Sequence, residues 1–303
     1  MTNQDEILAI VVSYNPDRNL IKSIESIVSQ NVDVILIDNA SVDKNILNEI
    51  NNQPNIKIVV NKSNIGLAAA QNIGLQHAIK NKYKYASFFD QDSILPEDFF
   101  FSMCYAIRNI PLEYIKKWGI IGPNFIDRNT KEYARFAILN KKSFITFSFT
   151  NNQENFKAVS FIISSGSIIK VSLVEEIGLF RSKYFIDQVD TEFCMRTVTK
   201  GYFVIATNHA CLNHTIGERQ RKKLLFLTIR PNYHSKLRKF FIFRNGIHVM
   251  KEYGENHKGF SNLMFKRLVH DTLAVIFFEP QKFEKIRAII VGIIKGLKGD
   301  FTL

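Results

Sequence analysis

Cysteine is scarce. Cys104, Cys194 and Cys211 are the only three in 303 residues, an odd number with no Cys-x-x-Cys pair. This excludes a disulfide framework and leaves reduced, buried thiols in a cytoplasmic protein as the expectation. Long apolar runs are missing as well. None reaches the roughly 18 residues that a membrane span needs, and the best, at 273–278 and 288–294, fall far short. Residues 1–6 are polar and acidic, with no unbroken apolar stretch behind them, so no secretory leader is expected. Residues 13–18 hold no glycine, so the glycine-rich triphosphate loop of a sugar nucleotidyltransferase has no counterpart here.

What is present is an ordinary globular composition with an uneven charge. Apolar residues make up 46% of the chain, enough for a packed core, and the length suffices for one large α/β domain with a smaller appendage. Of 40 Lys and Arg and 28 Asp and Glu, residues 219–303 hold 18 and 6, so the whole excess of 12 lies there and residues 1–218 are neutral. A neutral body with a cationic tail predicts a polyanionic partner for the tail alone. No helix-turn-helix, RNA-recognition or zinc motif accompanies that charge, and no nucleic-acid partner is expected.

The first two thirds alternates strand and helix patterns. Ile7–Ser13 is a continuous apolar run, as a buried parallel strand requires. Helical spacing follows in residues 20–28, then strands at 32–37 and Ile56–Val60 separated by a short helix at 46–50. A helix over Leu67–Lys80 opens at Gly66, a strand covers 86–89, and Pro96, Glu97 and Asp98 suit the first turn of another helix. Residues 119–167 show little period, and 136–149 reads as a hairpin or a mobile loop. Helices at Val171–Ile177 and 190–200 and a strand at 202–206 complete the pattern. This order predicts a doubly wound sheet with its ligand beyond the carboxyl ends of the strands.

Polar groups stand at those ends. Asp38 follows one strand, and Asp90 and Asp92 follow another in the run Phe-Phe-Asp-Gln-Asp-Ser. Two carboxylates at that spacing can turn toward one hard cation such as Mg²⁺ or Mn²⁺, or form a polar turn that caps a helix. The stretch 64–74, Asn-Ile-Gly-Leu-Ala-Ala-Ala-Gln-Asn-Ile-Gly, offers close backbone approach to a ligand or to a neighbouring strand. Asp187, Asp190 and Glu192 cluster at a helix start, where one ionised carboxylate can act as a base or the set can serve as an acidic cap. His214 follows a strand and is either structural or a third metal ligand.

Taken in order, these stretches resemble the family 2 glycosyltransferases of the GT-A fold across residues 7–217. Val-Val-Ser-Tyr-Asn-Pro at 11–16 is similar to the family's first strand and base-contacting turn, and Ile-Asp-Asn-Ala-Ser at 37–41 to its base-binding motif. Asn64, Gly66, Asn72 and Gly74 match its N-x-G stretch, Asp90-Gln-Asp92 its metal motif, Asp190-Thr-Glu192 before Arg196 its catalytic acid, and His214-x-x-Gly217 its metal-binding histidine. The resemblance implies Asp190 as catalytic base. It implies nucleotide-sugar contacts from Val12, Tyr14, Asn15, Asp38, Gly66, Asn72, Asp90, Gln91, Gly166 and Glu192, and Mg²⁺ or Mn²⁺ on Asp92, His214 and Asp90. Asp-Gln-Asp-Ser, Phe-Ile-Asp-x-Val-Asp-x-Glu and the stretch 233–245 ending Phe-Arg-Asn are similar to bacterial rhamnosyltransferases of O-antigen and surface-polysaccharide assembly. This implies dTDP-L-rhamnose as donor, with a UDP-hexose as the alternative, and a polyprenyl-diphosphate-linked saccharide as acceptor. Many members carry Glu-Asp where this chain has Val189-Asp190; Asp187 is a substitute for that charge. The Gln-x-x-Arg-Trp motif of processive synthases is absent, the one tryptophan being Trp118, so transfer of one or a few sugars is expected.

The expected organisation is a catalytic domain at 1–218, with a nucleotide-sugar half at 1–95 and an acceptor half at 96–218, and a basic amphipathic helical region at 219–303. Arg221, Lys222 and Lys223 precede apolar 224–227; Lys236, Arg238 and Lys239 precede 240–243; Arg287 and Lys295 interleave Ile286, Ile289, Ile290, Ile293 and Ile294. Such segments fit an anionic membrane surface, here the inner face of the cell membrane, or a helical subdomain packed on the catalytic domain.

Overall fold

Ile7, Ala9 and Val11 enter one core cluster and Leu8 and Ile10 another, so the first strand, β1 (Ile7–Ser13), is apolar on both faces. Such a strand needs a covering layer on each side. The computed structural model supplies both; it describes residues 3–51, 53, 55–127, 132–140, 142–149, 154–214, 222–224 and 227–302, apart from the side chains of His214, Leu224 and Leu227. The chain continues through α1 (Asn19–Val28), β2 (Asp33–Asp38), α2 (Asn45–Ile50), β3 (Ile56–Val60), α3 (Leu67–Lys80) and β4 (Tyr85–Asp90). β3, β2, β1 and β4 are parallel neighbours. Leu20, Ile24 and Ile27 of α1 pack on the Ile7 side, and Ala68, Leu75 and Ala78 of α3 on the Leu8 side. Gly74 admits α3 closely, since a Cβ there would stand 2.5 Å from Ile10 Cγ2.

The next helix, α4 (Phe99–Arg108), begins after residues 96–98 rather than with them, because Phe99 N–H donates to Pro96 C=O (3.2 Å) in a tight turn. A single turn, α5 (Leu112–Ile115), leads to β5 (Trp118–Asp127). The aromatic stretch is a hairpin of β6 (Phe136–Leu139) and β7 (Phe144–Phe147), followed by β8 (Phe156–Val159) and β9 (Ile168–Lys170). Then come α6 (Val171–Ile177), α7 (Val189–Thr199) and β10 (Phe203–His214), which is much longer than expected because, past an irregularity between Thr207 and Cys211, it goes on pairing β5 as far as Asp127. β9 runs antiparallel between β4 and β5, giving one mixed eight-stranded sheet in the order β3-β2-β1-β4-β9-β5-β10-β8. The three cysteines are free; Cys104 and Cys194 are buried.

A ribbon of β11 (Lys222–Leu224) and β12 (Leu227–Ile229) leads to α8 (Lys236–Tyr253), α9 (Lys258–Phe278) and α10 (Lys282–Lys298). Val249 and Tyr253 of α8 and Phe260, Leu263 and Met264 of α9 join the core cluster of Leu8. α10 lies close on α8: Cβ atoms at Gly292 and Gly296 would stand 2.7 and 2.5 Å from the carbonyl oxygens of Phe240 and Arg244. Lys239 Nζ donates to Asp271 (2.7 Å) and Glu279 (3.0 Å), and Lys285 Nζ to Glu279 (2.8 Å), all four side chains being buried. Such a network fixes register, and removing any one partner strands a buried charge. Among the described residues no helix is long and apolar enough to cross a membrane.

Candidate active site

The carboxyl ends of β1, β2 and β4 lie side by side, with Ser13 opposite Asp38 and Val12 opposite Asp90. Tyr14 leaves this edge half-exposed, and its N–H is fixed by Gln91 Oε1 (2.9 Å). Asn15 follows at φ 46°, its N–H donating to Ser41 Oγ (2.8 Å) and its Oδ1 accepting from Val42 N–H (2.9 Å). Asp38 is fully buried. Both of its oxygens are engaged, by Ser13 Oγ (3.2 Å), Ser41 N–H (3.0 Å), Ser41 Oγ and Lys44 Nζ (2.6 Å). Burial pushes its carboxyl up, but Lys44 and Ser41 outweigh that and hold it below the usual range. Asp38 therefore shapes the loop in which Asn15 and Ser41 sit. Ser41 and buried Asn39 lie in the 37–41 motif but were given no part of their own, and Lys44 is a contributor that the sequence alone did not single out. Asn39 Oδ1 accepts from Ile65 N–H (3.0 Å) and Asn61 Nδ2 (3.1 Å), and its Nδ2 donates to Asn64 (2.8 Å).

The N-x-G stretch is spent mainly on packing. Gly66, at φ 84°, starts α3 against Phe185, whose Cδ2 would be 2.6 Å from a Cβ. Asn72 is buried. Its Oδ1 accepts from Phe180 N–H (2.9 Å), while Nδ2 donates to Phe180 C=O (2.8 Å) and Ser182 Oγ (3.0 Å). The amide thus braces the 180–182 turn and has no donor left for a ligand. Gly166, at φ 76°, is wedged between Leu212 and Pro123, and its N–H donates to Phe88 C=O (2.7 Å) beside the end of β4.

The acids separate into two groups. Asp90 and Asp92 are exposed at the end of β4. Asp190 is half-buried in the first turn of α7, its Oδ1 accepting from Thr191 N–H (2.7 Å). Burial pushes its carboxyl up and outweighs the Thr191 N–H bond, which lowers it; like charge from Asp187 and Asp90 adds to the rise, and Arg267 of α9 opposes it slightly. Asp90 at the end of β4 is thus within electrostatic reach of Asp190 at the start of α7. Glu192 faces away. It is fully buried, paired to Arg181 (2.9 Å) and Arg196 (3.0 Å), and accepts from Tyr253 O–H (2.8 Å). Two helical positions span about 200°, which puts Asp190 and Glu192 on opposite faces. His214 ends β10 with its backbone opposite Asp127; its side chain and Gly217 lie outside the described residues. Among the described residues, no group of three or more His, Cys, Asp or Glu could hold a metal ion.

The loop before Asp190 is gripped by α8. Arg238 forks onto Asp187 (3.2 and 3.3 Å), Phe241 stacks on Phe185 (5.0 Å), and Asn245 Nδ2 donates to three carbonyls of the loop. A groove of about 430 Å³ lined by Lys82, Lys84, Lys170 and Glu175 lies elsewhere, at the opposite end of β4 from Asp90.

Comparison with known proteins accords with this arrangement. The family model "Glycosyl transferase family 2" matches residues 8–178. The dTDP-rhamnosyl transferase RfbF of Shigella flexneri is 29% identical over 299 residues, covering 97% of this chain and 96% of that protein. Glycosyltransferase GlyA of Streptococcus pneumoniae serotype 4 is 30% identical over 104 residues, 33% of this chain and 14% of that one. Among solved structures, GalNAc-T7 with UDP, GalNAc and Mn²⁺ superposes with a TM-score of 0.61 at 13% identity, covering 96% of this chain and 56% of that one. Staphylococcus aureus TarS 1-349 with UDP-GlcNAc gives 0.56 at 15% identity, covering 96% and 81%. The chain belongs to glycosyltransferase family 2, has the GT-A fold and is a glycosyltransferase. Its similarity to a rhamnosyltransferase runs nearly end to end.

Proposed function

We propose that the enzyme transfers L-rhamnose from dTDP-L-rhamnose, with inversion, to a lipid-linked saccharide acceptor of surface-polysaccharide assembly. The observation that carries this reading is the polar edge at the carboxyl ends of β1, β2 and β4, where Asp38 and Asp90 flank β1 and half-exposed Tyr14 is held by Gln91, with Asp190 of α7 within electrostatic reach of Asp90. Tyr14 offers its ring to the thymine face, and the Asp38 loop holds Asn15 for the nucleoside. Asp190, ionised, takes the proton of the acceptor hydroxyl as that oxygen bonds to the anomeric carbon. The carbon–oxygen bond to the diphosphate breaks on the opposite side, and dTDP leaves. The similarity to RfbF along the whole chain supports rhamnose as the sugar.

The donor set at β4 fits a hard divalent cation. Asp90 and Asp92 flank Gln91, whose amide is tied to Tyr14, and two carboxylates at that spacing suit an ion that keeps its other positions for water and diphosphate. Mg²⁺ or Mn²⁺ would be held by Asp92 and Asp90 with His214, and when bound it would offset the charge of the leaving diphosphate.

An anionic membrane surface at the inner face of the cell membrane is the proposed location. α10 exposes Phe283 (94%), Ile290, Ile294 and Leu297, and α9 exposes Phe265 and Phe277, among the basic residues of the tail. Apolar side chains rimmed by cations suit a lipid interface, where a polyprenyl-linked acceptor resides. The decisive experiment is a donor screen with dTDP-, UDP- and GDP-sugars plus Mn²⁺, read by thermal shift and donor consumption. dTDP-L-rhamnose alone should stabilise the protein and be consumed, and the shift should vanish with EDTA. Consumption of a UDP-hexose instead would overturn the donor assignment.

A further inference from the structure

The segment leading into α7 is held in a conformation it would not adopt alone. Phe185 (φ 64°), Asp187 (φ 64°) and Gln188 (φ 60°) all lie in the left-handed region, and Gln188 is the N-cap of the helix whose first turn carries Asp190. Non-glycine residues persist there only where their surroundings over-determine them. On one side Phe185 packs on Gly66 and its C=O accepts from Ala68 N–H (3.3 Å); the rest of the surroundings is one stripe of α8 at positions 238, 241, 245, 248 and 252, spaced by three and four residues so that they share a face. Asn245 Nδ2 donates to the carbonyls of Tyr184 (2.8 Å), Ile186 (2.8 Å) and Asp187 (3.0 Å). Arg244 Nε orients Asn245 Oδ1 (3.1 Å), and its Nη2 donates to Lys183 C=O (3.0 Å) and Tyr184 C=O (3.2 Å). Arg238 forks onto Asp187, and the rings of Phe241 and Phe185 stack at 11°. Farther along, His248 meets Tyr184 O–H (2.9 Å), and Glu252 pairs with Arg181. Asn245 is fully buried and Arg244 is 1% exposed.

We propose that this stripe is the positioning element of the catalytic base, with Asn245 and Arg238 as positioning residues that fix the 185–188 loop and hence the direction of Asp190. The proposal rests on Asp190 being the base. An amide is required at 245: a carboxylate of the same shape would set an oxygen against three carbonyl oxygens, and a methyl group would take the Asn245 donor from all three, leaving only Tyr184 C=O with its bond from Arg244 Nη2. At 238 only a planar guanidinium can take both Asp187 oxygens at once.

The test compares full-length wild type with Asn245→Ala, Asn245→Asp, Arg238→Gln, Arg238→Lys and, as a control, Asp190→Asn. Turnover of the donor selected by the screen is read with water as acceptor, by dTDP release. Calorimetry gives dTDP affinity and stoichiometry, and hydrogen exchange is followed at amides 185–190. Arg238 is 43% exposed, so its variants remain informative if a change at buried 245 prevents folding. The expected result is a fall in kcat of about 10- to 100-fold for Arg238→Gln and the Asn245 variants, with dTDP affinity and stoichiometry within about twofold. Arg238→Lys should recover part of the loss, and exchange at 185–190 should quicken. Wild-type kcat in Arg238→Gln and Asn245→Ala, beside a dead Asp190→Asn, overturns the inference and leaves the base in place. A fall in kcat matched by an equal fall in binding stoichiometry marks mere unfolding and overturns it too. Wild-type turnover in Asp190→Asn overturns the base and this inference together.

Discussion

Asp190 and Glu192 stand two positions apart on one helix and face opposite ways, one toward the edge where the strands end and the other into a pair of arginines. Their environments set their chemistry. Burial, then the charges of Asp187 and Asp90, raises the proton affinity of Asp190. A base works ionised, so kcat/KM should fall as pH drops through its pKa, with a limb above the usual carboxylate value of about 4. Asp187→Asn removes one like charge and should move that limb to lower pH in a pH–rate profile; a limb that stays put would detach Asp187 from the site. Asp38 has the opposite sign. Its folded-state value is depressed, so it contributes stability above its unfolded pKa that is lost as pH falls through the folded one. Asp38→Asn should cost about 1–3 kcal/mol at neutral pH by denaturant unfolding, and the gap from wild type should narrow in acid.

The elements that position these residues differ in how plainly the sequence announces them. β1 to β4 and α3 are legible because a strand buried on both faces is a continuous apolar run and Gly66 breaks the chain into a helix. β9 is three residues long and β8 four, too short to show a period, so the second half of the sheet hides in 119–167 although the hairpin within it was foreseeable. α8 was expected as a basic amphipathic helix, but its part at the site was not. The face it turns to the site is Arg238, Phe241, Asn245, His248 and Glu252, mostly polar; the spacing of those residues is the signal that could have revealed that part. Asp190 was legible as an acid at a helix start, whereas the duty of Asn72 depends on partners more than 100 residues away and that of Glu192 on Tyr253, 61 residues away, as well as on nearby Arg181 and Arg196. The α8–α10 contact gives a test of packing. Gly296→Ala places a Cβ 2.5 Å from Arg244 C=O, and the overpacking should cost about 1–3 kcal/mol, read as a lowered Tm. An unchanged Tm would mean that the two helices are less closely held than described.

At the scale of the whole molecule, charge and exposed apolar surface collect on one side of the sequence. Residues 219–303 carry the entire excess of positive charge. Part of it is internal, since Lys239 and Lys285 neutralise Asp271 and Glu279, and Arg244 is buried with its pKa pulled down to about 10 by desolvation. α10 exposes Phe283, Ile290, Ile294 and Leu297 and carries Lys282, Arg287, Lys295 and Lys298 along the same helix. Each basic residue near an anionic bilayer contributes about 1 kcal/mol, so the protein should float with phosphatidylglycerol-containing vesicles and release as salt rises. Phe283→Ser with Leu297→Ser should weaken that binding without lowering Tm. Equal flotation of the double variant would place the contact elsewhere.

Asp90 at the end of β4 lies within electrostatic reach of Asp190 on α7, and the proposed base assignment to Asp190 is the claim on which the chemistry turns. It is tested most directly by measuring the sugar-transfer rate and dTDP affinity side by side in Asp190→Asn. A rate lowered by about 10²- to 10⁴-fold with dTDP affinity within about twofold of wild type is expected for loss of a general base. Wild-type turnover, or a loss of dTDP binding as large as the loss of rate, would contradict it.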